Sequence, residues 1–270
     1  KDTDWDNVIT GADIIIHLAA RVHEMGKQTN SQQQEYFTVN EEGTQKLALA
    51  AANAGVKRFI FISTIKVNGE KTYDRPFTEN DAPNPNDFYS ISKSNAEKSL
   101  LKINENTGLE LVILRVPLVY GPRVKGNFYS LLWACAKRRL LPLKSIKNFR
   151  SFLYVENLAS AITKCVSEPH MESKIYLLSD GADISTTKLV ETISAFLGVR
   201  PRFFYIPIGL LFWLGRLFRK LEAIERLTDS LQVDSTLIRE ELDWSPPFTV
   251  EEGLERTAQW FNEHRRYDKK

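Results

Sequence analysis

Short runs of apolar and β-branched residues alternate along the first half of the chain with segments in which alanine and leucine recur at helical spacing. The apolar runs predict buried parallel strands over residues 13–18, 58–63 and 110–116. The intervening segments predict helices over 33–54 and 89–106, which Gly55 and Gly108 follow as end signals. Strand, helix and strand in this order predict an α/β fold built on a doubly wound parallel sheet.

The pattern changes after residue 122 and predicts a smaller second part that is interleaved with the first. A basic and aromatic stretch occupies residues 123–150. The elements predicted beyond it are strands at 151–155 and 174–178, a helix from Asn157, and helices over 191–197, 208–227 and 250–264. We therefore expect one part over 1–122 and another over 123–270, from which about 150–178 returns to the sheet of the first.

The composition gives little support to several classes of partner. The 270 residues carry 36 basic and 34 acidic side chains, a formal charge of +2, so the overall charge does not favour nucleic-acid binding. Cys135 and Cys165 have no metal-ligand spacing, and no metal site is expected. The charged segment from Lys1 to Asn7 lacks the apolar core of a secretory signal, which predicts a cytoplasmic protein.

The most apolar stretch runs from Tyr205 to Phe218. Arg216 and Arg219 interrupt it before the roughly 18 residues that a membrane span requires, so no span is expected. Two interpretations are left open: an amphipathic helix packed on the domain, or a helix that makes peripheral contact with the inner membrane surface.

Candidate chemistry centres on Tyr89 and Lys93, which lie four residues apart at the start of a predicted helix and project from one face. A phenol has an ordinary pKa of about 10, and a neighbouring ammonium would favour its ionised form. Ser63 and Thr64 end a strand at the sheet edge where open α/β proteins bind ligands. Two interpretations are open at this point: a solvent-facing pair beside an ordinary strand end, or an acid/base site in which Thr64 and Tyr89 share a substrate oxygen.

The front of the chain lacks one expected feature. A doubly wound nucleotide-binding domain begins with a strand and a glycine-rich turn that binds pyrophosphate at a helix amino terminus. Gly11 is isolated, and no such turn precedes the first predicted strand. Either the fold binds no dinucleotide, or residues ahead of Lys1 are missing from this sequence.

Short motifs then follow one another in a fixed order. They are His17–Ala20, Val39-Asn40 ahead of Gly43-Thr44, Phe61–Gly69, Tyr89–Lys93, Arg115–Pro122, Gly126-Asn127, Arg150–Ala159, and Leu242–Pro246 followed by Glu252–Leu254. In this order the chain resembles the extended short-chain dehydrogenase/reductases acting on nucleotide sugars, the NAD-dependent epimerase/dehydratase family that includes UDP-glucose 4-epimerase. The resemblance implies a Rossmann-like α/β sheet that lacks its first βαβ unit, with a smaller carboxyl-terminal substrate-binding domain.

The resemblance also implies roles for individual residues and for ligands. Tyr89 would be the acid/base in hydride transfer at sugar C4, Lys93 its pKa modifier, and Thr64 the hydroxyl that orients the sugar oxygen. The cofactor-binding set would be Leu18, Ala19, Ala20, Asn40, Ile62, Ser63, Tyr89, Lys93 and Pro117; the substrate-binding set would be Thr64, Asn127 and Arg150. The implied ligands are NAD, with NADP as the alternative, and a UDP-sugar or other nucleotide sugar. A homodimer is also implied, formed by the Tyr89 helix and its neighbour.

The chain departs from the family pattern at several positions. Ile65 and Lys66 replace the Asp-Glu pair of dehydratase relatives, which argues against 4,6-dehydration. Leu118 and Ser151 replace an asparagine and an aspartate common in relatives, so sugar recognition is expected to differ. Other segments resemble bacterial reductases of UDP-4-keto-6-deoxy-N-acetylhexosamines. Three hypotheses stay open: a 4-epimerase, a 4-keto-sugar reductase of surface-polysaccharide synthesis, and a non-catalytic truncated relative.

Overall fold

A computed structural model describes residues 3–22, 30–219 and 221–265. Its helices are α1 (Trp5–Ile9), α2 (Asn30–Tyr36), α3 (Gly43–Asn53), α4 (Phe88–Thr107), α5 (Gly126–Ala136), α6 (Val155–Ser167), α7 (Thr186–Phe196), α8 (Ile208–Leu217), α9 (Leu221–Thr228), α10 (Thr236–Leu242) and α11 (Val250–His264). Its strands are β1 (Ile14–His17), β2 (Arg58–Thr64), β3 (Glu110–Val116), β4 (Leu118–Tyr120), β5 (Leu140–Leu141), β6 (Phe152–Tyr154), β7 (Lys174–Leu177) and β8 (Arg202–Phe203). A π-helical segment, Phe37–Glu42, joins α2 to α3, and a short 3₁₀ helix, Ile65–Val67, follows β2.

The central sheet has four parallel strands in the order β1, β2, β3, β7. Both faces are covered because the strands are apolar on both sides. On one face Phe59 and Phe61 pack with side chains of α3 and α4, and on the other Ile60 and Val112 pack with α6 and α10. The prediction of an α/β fold with a doubly wound parallel sheet is confirmed.

The predicted bounds of strands and helices agree best with the structure where apolar residues recur at regular spacing. Strand β7 pairs with β3 in the central sheet, whereas β6 pairs with β4 in a separate two-stranded sheet. The single helix predicted over 208–227 is wrong, because the chain forms α8 and α9 with a break between them. Arg219 lies in that break with a positive φ of 54°, a conformation that ends a right-handed helix. Helices α1, α5 and α10 were not predicted.

A second apolar core lies between β4, β6 and helices α5, α7 and α11. Tyr120 and Tyr154, both buried, cross this core and meet α11 at Gly253. A Cβ at Gly253 would lie 2.5 Å from the Tyr120 hydroxyl oxygen and 2.9 Å from the Tyr154 ring. Glycine is therefore required here by close packing. Within the described residues, no helix is both long and apolar enough to cross a membrane.

Replacement of Gly253 by alanine is expected to lower the free energy of unfolding by about 1–3 kcal/mol, because the added methyl group overpacks the aromatic core. Gly209→Ala is the matched control, since Gly209 is also helical but its Cβ would meet no atom within 4 Å. That variant should gain up to about 1 kcal/mol from helix propensity. Urea unfolding followed by circular dichroism measures both, and equal effects would contradict the packing account.

Candidate functional site

The carboxyl ends of β1, β2 and β3 meet at one edge of the sheet, which is where the predicted catalytic residues converge. Thr64 is the last residue of β2, and Pro117 follows β3. Helix α4 begins beside them, so Tyr89 lies in its first turn and Lys93 one turn further along. The geometry brings Thr64, Tyr89 and Lys93 to a common edge, together with Ile62 and Ser63 of β2.

The start of α4 is fixed by a capping box. The Asp87 carboxylate accepts a hydrogen bond of 2.7 Å from the Ser90 backbone, and the Ser90 hydroxyl accepts one of 3.1 Å from the Asp87 backbone. Asp87 also pairs at 2.6 Å with Lys66, which lies within the 3₁₀ helix that Thr64 caps. These contacts fix the helix start against the end of β2 and so position the Tyr89 side chain.

The Thr64 side chain, at the end of β2, lies close to the Tyr89 phenol and interacts with it. The Tyr89 ring also meets the edge of Tyr36, with 6.4 Å between ring centroids. Burial raises the pKa of Tyr89 to about 12, with Asp87 and Tyr36 adding to the rise, and the nearby Thr64 hydroxyl opposes it. The phenol is therefore protonated at neutral pH in this arrangement and needs a further positive charge nearby to act as a base.

Lys93 is the candidate source of that charge. Its side chain is buried, its ammonium donates a hydrogen bond of 2.6 Å to the Ile62 carbonyl, and it lies 3.9 Å from the centroid of the Phe61 ring. Burial lowers the pKa of Lys93 to about 7, an effect that the nearby Glu97 opposes. The ammonium is thus poised between its charged and neutral forms, and a ligand that accepts hydrogen bonds from it would favour the charged form.

The titration of Lys93 should be visible in stability. Its pKa is lowered from 10.5 in the unfolded chain to about 7 in the folded protein, so between these values the unfolded chain binds a proton that the folded protein does not. The free energy of unfolding should therefore rise with pH across this window, by up to about 2 kcal/mol from pH about 7 to about 9. The contribution is fully present above 10.5 and is lost as the pH falls through about 7.

In Lys93→Met this rise should disappear, which urea unfolding at the two pH values measures. Lys98→Met is the control because Lys98 lies exposed on the same helix, and it should keep the rise. A wild-type profile that matches that of Lys93→Met would show that the lysine does not titrate in this range.

A buried ion pair lies directly behind the site and was missed by the sequence analysis. Glu97, one turn beyond Lys93 on α4, meets Arg115 of β3, with 2.6 Å between the nearest atoms and each side chain less than 5% exposed. Ser63 donates a hydrogen bond to Glu97, and Arg115 donates one of 3.0 Å to Asn68. A sequence signal existed in the i, i+4 spacing of Lys93 and Glu97, which places both on one helix face.

The loop after β1 carries the predicted cofactor residues Leu18, Ala19 and Ala20, of which Leu18 is 61% exposed. Buried Asn40 does not project from this loop. Its side-chain amide accepts a hydrogen bond of 2.8 Å from the Arg21 backbone N–H and donates to the Arg21 carbonyl and to Ser92. Asn40 therefore positions the loop relative to α4.

Asn127 and Arg150 lie at other positions in the fold. Asn127 is exposed in the first turn of α5. Arg150 is half-buried, and its guanidinium donates hydrogen bonds of 3.1 Å to the carbonyls of Arg226 and Asp229 at the end of α9. Burial lowers the pKa of Arg150. The Arg150 guanidinium is therefore hydrogen-bonded to the end of α9, and part of the side chain is exposed at the surface.

Comparison with known proteins gives a family match for most of the chain. Residues 1–178 match the sequence profile of the NAD dependent epimerase/dehydratase family. Over 261 residues the chain is 41% identical to UDP-glucose 4-epimerase of Vibrio cholerae. This alignment covers 96% of the chain and 80% of that protein. Over 277 residues it is 26% identical to N-acetyl-alpha-D-glucosaminyl-diphospho-ditrans,octacis-undecaprenol 4-epimerase of Escherichia coli O157:H7, covering 97% of this chain and 82% of that one.

Solved structures share the fold. UDP-glucuronic acid 4-epimerase from Bacillus cereus, in complex with UDP-glucuronic acid and NAD, superposes with a TM-score of 0.79 at 20% identity. The alignment covers 97% of this chain and 79% of the other. At this identity the likeness supports the architecture alone.

Proposed function

The chain belongs to the NAD dependent epimerase/dehydratase family, and on that premise we propose that it is an NAD-dependent 4-epimerase of a nucleotide sugar, with Tyr89 as its acid/base. The observation that carries the proposal is that the hydroxyls of Thr64 and Tyr89 lie next to each other, with the buried ammonium of Lys93 one helical turn away. Two hydroxyls and one tunable cation at the carboxyl edge of a parallel sheet suit proton transfer to and from a substrate oxygen.

The residues at this edge fit NAD. An ammonium has three N–H donors. Within the described residues, the Lys93 ammonium donates one hydrogen bond, to the Ile62 carbonyl. Its remaining donors suit the hydroxyls of a ribose, and the exposed apolar side chain of Leu18 suits an aromatic ring. NAD would bind along Leu18–Ala20, Ile62, Ser63 and Pro117, with Asn40 holding the loop. When bound it would supply the acceptor and donor of hydride for sugar C4.

The chain's own residues then handle the proton. Thr64 orients the sugar hydroxyl through its own hydroxyl, and Tyr89 takes the proton from that oxygen and later returns it. The pKa of about 12 makes this unfavourable for an isolated phenol. Ligand hydroxyls that accept hydrogen bonds from Lys93 would raise the pKa of that lysine, and the resulting ammonium charge would stabilise the phenolate of Tyr89.

Substrate binding is assigned to the second part of the chain, 123–270, and cofactor binding to 1–122. Arg150 offers a planar fork of donors that suits a diphosphate, and Asn127 lies at the start of α5. Ile65 is buried and Lys66 is paired with Asp87, so no carboxylate stands directly after Thr64 to eliminate water. This supports epimerisation over 4,6-dehydration. The homodimer and the cytoplasmic location stay predictions.

A 4-keto-sugar reductase is the alternative, because it would use the same three residues. Epimerisation leaves the cofactor unchanged over a turnover, whereas reduction consumes one reduced cofactor for each product. The test incubates the protein, expressed from its whole reading frame, with UDP-glucose or a UDP-N-acetylhexosamine and catalytic NAD. Separation of the C4 epimers with no net change in absorbance of the reduced cofactor supports the proposal. Stoichiometric consumption of NADH or NADPH with a 4-keto sugar would replace it with the reductase, and no turnover with either would favour a non-catalytic relative.

A further inference from the structure

An apolar surface stands exposed on helix α8. Its members are Tyr205, Ile208, Trp213, Leu217 and Phe218, and we call them the α8 surface. Trp213 is 58% exposed and Phe218 65% exposed. Other positions of α8 are already packed, because Leu211 and Gly215 are buried and Gly215 lies against Ile224 of α9. Several large apolar side chains that stay exposed within one short segment often mark an interaction site.

A strip of basic side chains adjoins the α8 surface. Segments 137–149 and 199–219 hold nine of the chain's 36 basic residues and none of its 34 acidic ones. These nine, all exposed, are Lys137, Arg138, Arg139, Lys144, Lys147, Arg200, Arg202, Arg216 and Arg219. We call them the basic strip. Within residues 3–22, 30–219 and 221–265, none of the nine forms an ion pair with a carboxylate.

The two segments form one surface because they run side by side. Strand β5 pairs in parallel with β8, and the backbone N–H of Phe204 donates a hydrogen bond of 3.0 Å to the Leu141 carbonyl. The Ser145 hydroxyl donates one of 2.6 Å to the Ile206 carbonyl, two residues before α8 begins. The positive charge of the first segment is therefore held next to the aromatic side chains that lead into α8.

From this arrangement we propose that the α8 surface and the basic strip together dock on an anionic lipid bilayer. Tryptophan and tyrosine favour the level of the lipid headgroups, leucine and phenylalanine enter the acyl boundary, and lysine and arginine attract anionic headgroups. The positive charge of the basic strip argues against a second copy of this chain as the occupant. A two-fold interface would bring the basic strip of one copy towards that of the other, with repulsion between like charges. The inference does not depend on the proposed function.

Sedimentation with lipid vesicles tests the docking surface. The protein is expected to sediment with vesicles of equal parts phosphatidylglycerol and phosphatidylcholine, much less with phosphatidylcholine alone, and to be released by added salt. Trp213→Ser/Phe218→Ser should weaken binding by about tenfold or more, because both side chains are exposed and their loss removes the inserted apolar area. Arg202→Glu/Arg216→Glu should weaken it by about tenfold or more through charge.

The charge control is Lys57→Glu/Lys164→Glu, which makes the same change in net charge on other elements and should bind vesicles nearly as the wild type does. Equal binding to neutral and anionic vesicles, or equal losses in the Arg202/Arg216 and Lys57/Lys164 variants, would overturn the proposal. Light scattering measures the oligomeric state of Trp213→Ser/Phe218→Ser and so tests whether a second copy of this chain occupies the α8 surface. If that variant dissociates an oligomer while its vesicle binding stays unchanged, the α8 surface is an interface between copies and the proposal fails.

Discussion

Tyr89→Phe is expected to lower kcat for C4 epimerisation by about 10²–10⁴-fold, the usual contribution of a positioned general acid/base. The variant keeps the aromatic ring and its edge contact with Tyr36, so the fold and the shape of the site should persist. It removes only the hydroxyl that lies beside Thr64. Because substrate binding would use other groups, KM should change far less than kcat. Steady-state kinetics with the nucleotide sugar that the wild type turns over measures both constants.

Tyr73→Phe is the matched control, because the Tyr73 side chain is 76% exposed and lies outside the site. It should leave both constants unchanged. A Tyr89→Phe enzyme that retains kcat within a few-fold of the wild type would remove Tyr89 from the acid/base role and leave Thr64 or a ligand group as the proton acceptor.

Glu97→Gln is expected to cost about 3–5 kcal/mol of folding stability, because it leaves the buried guanidinium of Arg115 without a counter-charge. The same change weakens the bond from Ser63 and takes away the negative charge that supports the ammonium of Lys93. The pKa of Lys93 should therefore fall further. Urea unfolding at neutral pH measures the loss, and the double variant Glu97→Gln/Arg115→Met should recover part of it, because no isolated charge is left buried.

The comparison for this prediction is Glu110→Gln, which breaks the ion pair between Arg58 and Glu110. Arg58 is 4% exposed, but Glu110 is 32% exposed and Arg58 keeps hydrogen bonds to the carbonyls of Cys165 and Glu168, so the cost should be smaller, at about 1–2 kcal/mol. If Glu97→Gln costs no more than Glu110→Gln, the buried pair does not carry the energetic weight assigned to it.

The sequence predicted the parts of the fold and site that depend on local period and on topology. Parallel strands place their carboxyl ends at one edge, so the convergence of Thr64 with the first turn of α4 followed from element order alone. The family match now supports the fold, the enzyme class and NAD as the family's cofactor. The roles of individual residues and the two-part division of the chain stay predictions.

Other features could not be read from one sequence. The pair of Glu97 and Arg115 joins a helix to a strand, and nothing in the local pattern says which buried charge meets which. The break between α8 and α9 depends on a left-handed arginine, a conformation that residue type does not favour. Helix α5 lies in a basic and aromatic stretch whose apolar period is weak, because its buried side chains face a core made by distant elements.

The hydrogen bonds from Arg150 to the carbonyls of Arg226, in the last turn of α9, and Asp229, just after it, have a thermodynamic consequence. A diphosphate that draws this guanidinium towards itself would withdraw donors from the end of a helix whose other side packs against α8. Binding of the nucleotide sugar at the proposed site and binding of the α8 surface to a bilayer would then be thermodynamically linked. Linkage is reciprocal. If bilayer binding changes the affinity for the nucleotide sugar by some factor, the nucleotide sugar must change the affinity for the bilayer by the same factor.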